Sequence, residues 1–164
     1  MKRIVCAVFL VLTLTWIGFI FSNSFDNGTE SGEKSSTVHE VVNEIAQSLG
    51  ATEEIPESTI RTSAHFAEFA ILGILLATDI TLLAPLHRTE PLSRRYALLF
   101  VALPVASLLA VIDETIQYFS PGRAMQFIDV MIDSAGALCG ILLFAAAFLA
   151  CRAAYLRKKA KKTT

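Results

Sequence analysis

The chain has 164 residues, of which 54% are hydrophobic and only 18% charged, with a mean hydropathy of +0.56. A soluble domain is roughly 45–50% apolar and about 25% charged, so composition excludes an ordinary soluble domain and points to the membrane. The formal net charge of −1 conceals a segregation of acid from base. Membrane lipids are therefore the expected partners, and nucleic acid is not.

Four apolar runs define four expected transmembrane helices, at about residues 4–21, 64–84, 96–118 and 127–150, followed by a basic tail at 152–164. Each suits the roughly 17–25 residues that a spanning helix requires. The expected fold is all-α, a polytopic four-helix membrane bundle forming one domain over residues 1–164. Cys6, Cys139 and Cys151 fall in or beside apolar runs without metal-ligand spacing, so they read as free thiols.

The first run could be a signal peptide, with Lys2-Arg3 as its basic start and residues 22–24 as a weak cleavage site. Its eighteen-residue apolar core exceeds the usual 7–15 or so, which favours a retained span. Residues 22–36 are rich in Ser, Gly and Glu and read as low-complexity loop. Within the same loop, "STVHEVVNEIAQSLG" places Val38, Val41, Val42, Ile45 and Leu49 at helical spacing. Thr37 with Glu40 suggests a capping box and Gly50 a stop, predicting an amphipathic helix over 37–49. Its polar face is acidic, whereas membrane-surface helices carry Lys or Arg there, so its apolar side is expected to pack across the bundle. His39 reads as a surface residue without a ligand role.

In the second span, Arg61, His65 and Glu68 follow at four and three residues and form one stripe. Intramembrane ionisable groups are costly and turn toward a bundle interior or a water-filled cavity. The third span contains Pro104, read as a tolerated kink. It closes on "DETIQYFSPGR", where Asp113 and Gln117 share a face and Glu114 reaches Gln117 from the adjacent one. Ser-Pro-Gly turns the chain and returns Arg123 toward the helix end. In the fourth span Asp129, Asp133, Gly136 and Gly140 recur on one face, so two carboxylates continue into a close-packing Gly-x-x-x-Gly pair.

Orientation follows from Lys and Arg placement. With the N-terminus inside, the inner segments hold eleven cations and the outer ones three, Lys34, Arg61 and Arg123. Both termini are then cytoplasmic in the cell membrane, and residues 22–60 and 113–127 are outside.

These motifs carry a resemblance. "FSNS", "RTSAHFAEFAILG", "DETIQYFSPGR" and "DVMIDSAGALCG", in this order, resemble the VanZ-like family of small bacterial membrane proteins. Carried over by position, the family's polar signature falls on His65, Glu68, Asp113, Glu114, Gln117, Arg123 and Asp129. Phe69 stands where the family commonly has Tyr, Ile116 where His often precedes the Gln, and Asp133 where Asn is usual. The resemblance implies a place in the cell envelope and a link to glycopeptide, specifically teicoplanin, resistance; it implies no settled mechanism.

Together the stripes predict one outward-opening pocket of His65, Glu68, Asp113, Glu114, Gln117, Arg123, Asp129 and Asp133, with Arg123 neutralising the acid. Binding of an envelope lipid or cell-wall precursor, with Arg123 and Arg61 on phosphate, is the first reading. A metal-dependent enzyme on a lipid-linked phosphate and an ion or proton transporter are the alternatives. No metal signature or activated Ser or Cys nucleophile is evident, so no metal or cofactor and no catalytic residue is assigned. An apolar inner half makes a poor conduction path.

Overall fold

Long apolar runs can leave water only as helices whose backbone groups are satisfied internally. In the computed structural model, which describes residues 2–84 and 99–161, the helices are α1 Lys2–Ser24, α2 Gly28–Ser48, α3 Glu57–Leu83, α4 Ala102–Phe119 and α5 Phe127–Ala160. All but α2 are long and apolar enough to cross a membrane. The chain is a polytopic α-helical membrane protein. Arg88, Arg94 and Arg95, the start of the third span at Tyr96, and Lys162 lie outside the described residues.

Helix α3 is the hub, packing most extensively on α5 and touching α1, α2 and α4. Small residues permit this. A Cβ on Gly136 would collide with the Phe66 carbonyl oxygen, and one on Gly140 with that of Ala70. The two helices therefore run in the same direction with their backbones in near contact. Phe69, Leu72, Ile20, Ala106, Ala110, Val130 and Ala137 fill the space between the helices. Large apolar side chains such as Val8, Val11, Leu108 and Leu143 are exposed, as a lipid-facing surface requires.

Several sequence expectations change. Residues 22–36 are not loop: α1 continues to Ser24, and α2 begins at Gly28. Asn27, not Thr37, is the N-cap, and Asn27 with Glu30 forms the capping box. The Gly28 N–H also donates to the Pro121 carbonyl (2.8 Å), tying the start of α2 to the α4–α5 turn. Gly122 adopts φ +79° in that turn, which favours glycine. Pro104 lies in the first turn of α4, where its missing N–H has no helical partner to lose, rather than at a mid-span kink. The basic tail is helical to Ala160; nothing after Ala150 breaks the helix, and cations suit its C-terminal dipole.

Helix α2 is also rotated relative to expectation. Val38, Val41, Ile45 and Leu49 are exposed, while Asn43 is buried. The Asn43 Oδ1 accepts the Ile55 N–H (2.7 Å), and its Nδ2 donates to the Ile55 carbonyl (3.2 Å). His39 Nε2 lies 3.0 Å from the same oxygen. This polar clamp on the α2–α3 connector sets the rotation, because an unbonded buried backbone pair would cost more than exposed valines do. His39 is thus half-buried and structural.

Candidate functional site

Since α3 and α5 run in the same direction, their N-terminal turns meet at one end of the bundle, where α4 ends and α2 crosses. All eight sequence-predicted polar residues occupy this end. Asp113, Glu114 and Gln117 on α4 and Asp133 on α5 are fully or almost fully buried. His65, Glu68, Arg123 and Asp129 are half-buried.

Asp113 is the best satisfied of the carboxylates. Its Oδ1 accepts from the Ser24 hydroxyl (2.5 Å) and its Oδ2 from Gln117 Nε2 (2.9 Å), the expected i, i+4 pair. Glu114 turns elsewhere than expected: its Oε2 accepts the backbone N–H of Gln126 (2.8 Å), capping the unmet start of α5, rather than meeting Gln117. Glu68 Oε1 accepts from Asn23 Nδ2 (3.4 Å), while Trp16 Nε1 donates to the Glu68 carbonyl (3.0 Å). His65 Nδ1 stands 3.7 Å from Asp133 Oδ1, too far for a hydrogen bond.

Arg123, the expected neutralising partner of the acid, makes its hydrogen bonds to neutral groups. It donates through Nη2 to Gln117 Oε1 (2.6 Å) and through Nη1 to the Asn23 carbonyl (3.1 Å). Among the described residues it forms no ion pair with a carboxylate. Its charge reaches Asp113 through the Gln117 amide, which accepts from the guanidinium with one end and donates to the carboxylate with the other. Burial and the neighbouring Arg61 lower the Arg123 pKa from its ordinary value, while Asp113, Glu114 and Asp26 act in the opposite sense.

Among the described residues, three adjoining hollows open at this end. The first, of about 200 Å³, lies between Asn23, Lys34, Val38, Ile60, Arg61, His65, Glu68 and Arg123. A second, about 300 Å³, reaches from Arg61 and His65 to Gln126 and Asp129. A third, about 220 Å³, continues from Arg61 and Arg123 along the N-terminal half of α2. The roof is therefore Ser31, Lys34, Ser35 and Val38; of helix 37–49, expected to cover the pocket in part, only Val38 lines it. Lys34 is paired with Asp26 (2.6 Å). Arg61 lines all three hollows.

The "FSNS" motif carried the resemblance, but Ser24 and Asn23 were given no place in the site, where α1 delivers them to Asp113 and Glu68. Sequence reasoning missed Asp79, buried near the other end of α3, whose Oδ2 accepts from Thr13 Oγ1 (2.6 Å). A single acid within an apolar run was the available signal.

Lipid-facing helices that bury carboxylates, a histidine and an arginine at one end define a small polytopic membrane protein with a polar end pocket. The family model for VanZ/LLP1 matches residues 9–149, most of the chain, and the protein belongs to that family. No curated protein and no solved structure matches it.

Proposed function

We propose that the polar end faces outward and that its cleft binds the phosphate-bearing headgroup of an envelope lipid or lipid-linked precursor. The observation that carries this reading is the pairing of Arg61 and Arg123 on one cleft. Both guanidiniums line the same cleft, where like charges repel, and neither is ion-paired among the described residues. An anion between them removes that repulsion, and a phosphate oxygen pair suits the planar donor fork of arginine. The cleft also joins Val38, Ile60 and Ala64 to these cations, which fits an amphiphile with a charged head and an apolar stem. The outward orientation rests on the eleven-to-three excess of Lys and Arg in the opposite segments.

Family membership links the chain to teicoplanin resistance. Holding a lipid-linked envelope intermediate would give that link a physical form, without making this chain a resistance determinant. Native mass spectrometry of the purified full chain tests the reading. The wild type should retain a phosphate-bearing lipid that Arg61→Gln and Arg123→Gln each deplete. Equal retention by wild type and both variants, or retention of uncharged lipids only, refutes it.

A further inference from the structure

Behind the arginines, three helices bring one ligand-bearing side chain each to a common point. His65 comes from α3, Asp113 from α4 and Asp133 from α5, and one donor atom from each lies within 4.8 Å of the others. A carboxylate cluster alone says little. Asp133, however, is 0% exposed, and neither of its oxygens has a hydrogen-bond partner among the described residues. The His65 Nδ1 facing it has none either. Buried carboxylates require hydrogen bonds, opposite charge or a metal; among the described residues Asp133 has no hydrogen bond, and the one cation facing it, the His65 ring at 3.7 Å, carries charge only when protonated.

We propose that His65, Asp113 and Asp133 hold one divalent first-row metal ion, Mn²⁺ or Zn²⁺. The donor set selects the class: imidazole suits the transition metals, while carboxylates alone would suit Mg²⁺ or Ca²⁺. Ligand bonds of about 2.0–2.2 Å place neighbouring donors about 3–3.6 Å apart, so His65 Nδ1 and Asp133 Oδ1, at 3.7 Å, need little adjustment, and the three donors, within 4.8 Å of one another, close by at most about 1–2 Å. Two carboxylates and a divalent ion sum to zero charge, which suits a site enclosed by lipid-facing helices. The surroundings are also those of a held ligand. Ser24 and Gln117 each donate to an Asp113 oxygen, fixing the carboxylate while leaving a lone pair on each oxygen for the metal. The local sequence shows no such site because its ligands are 48 and 20 residues apart (113 − 65 and 133 − 113) and meet only through helix packing.

This inference stands apart from headgroup binding, and the test keeps the two separate by using neutral phosphatidylcholine nanodiscs. The full chain, stripped with EDTA, is titrated with Mn²⁺, the free ion being followed by electron paramagnetic resonance and displaced by Zn²⁺. One saturable equivalent per chain is expected. His65→Gln and Asp133→Asn should each weaken it more than tenfold. Ser24→Ala, which touches the metal only through Asp113, should weaken it about 10–100-fold, and Glu44→Gln on exposed α2 should not change it. Should a ligand variant fail to fold, X-ray absorption of the Zn²⁺-loaded wild type decides instead: a shell of one imidazole nitrogen with oxygens supports the site, and sulfur in the shell overturns it. Absence of saturable binding, meaning that a proton neutralises Asp133, also overturns it, as does full-strength binding by Asp133→Asn.

Discussion

Gly140→Ala is the sharpest perturbation of the scaffold that forms the pocket. The added Cβ would collide with the Ala70 carbonyl oxygen, with the carbonyl carbon only 2.8 Å away. The obstacle is helix backbone and cannot swing aside, so α5 must move off α3. Overpacking of this kind costs about 1–3 kcal/mol, and a rigid obstacle places it toward the upper value. The exchange of glycine for alanine within a helix returns about 0.5–1 kcal/mol, leaving a net loss of about 2 kcal/mol. Gly18→Ala is the matched control, because nothing lies within 4 Å of a Cβ at Gly18; it should keep the helical gain. The two variants should thus differ by about 3 kcal/mol in reversible SDS unfolding, read by the sole tryptophan, Trp16, which donates to the Glu68 carbonyl of α3. Separation of α5 from α3 should also draw Asp133 away from His65 and weaken Mn²⁺ binding. Equal stability of the two alanine variants would refute the close approach of α3 and α5.

Other perturbations probe single contacts. Thr13→Val leaves buried Asp79 without its donor and should cost about 1–3 kcal/mol in the same unfolding assay, much of it regained in Thr13→Val/Asp79→Leu. Ser24→Ala removes a donor from fully buried Asp113 and should cost a similar amount, whereas Ser22→Ala, whose hydroxyl is exposed and bonded only within α1, should change stability by less than about 0.5 kcal/mol. Asn43→Ala breaks both bonds to Ile55, so amide exchange in α2 should quicken while exchange in α3 around Leu72 stays slow.

The sequence made the spanning helices legible because their apolar runs match the thickness of a bilayer. It also placed the stripe from Asp129 to Gly140 correctly, since polar and small residues at helical spacing have few other uses in lipid. Its reading of α2 failed for a physical reason. Apolar periodicity marks the face that avoids water, and beside a membrane that face need not point at protein. The polar clamp of His39 and Asn43 on Ile55 outweighed the valines. Ser24 and Asn23, although part of "FSNS", were given no site role because short polar residues after an apolar run resemble loop; their value lies in reaching Asp113 and Glu68, 89 and 45 residues away. Arg123 was read as the neutralising partner of the acid; that Gln117 stands between it and Asp113 is a relay that charge counting does not reveal.

Phosphate recognition by Arg61 and Arg123 is what would give the polar end its function. A direct measurement compares a polyprenyl phosphate with the uncharged polyprenol of equal chain length, each titrated against the full chain in neutral nanodiscs. The phosphate should bind at least about tenfold more tightly, as one additional charge-assisted contact of about 1.5–3 kcal/mol requires, and Arg61→Gln/Arg123→Gln should abolish the difference. Equal affinity for the two lipids, or a preference for the phosphate that survives loss of both arginines, would show that the arginine pair does not recognise phosphate.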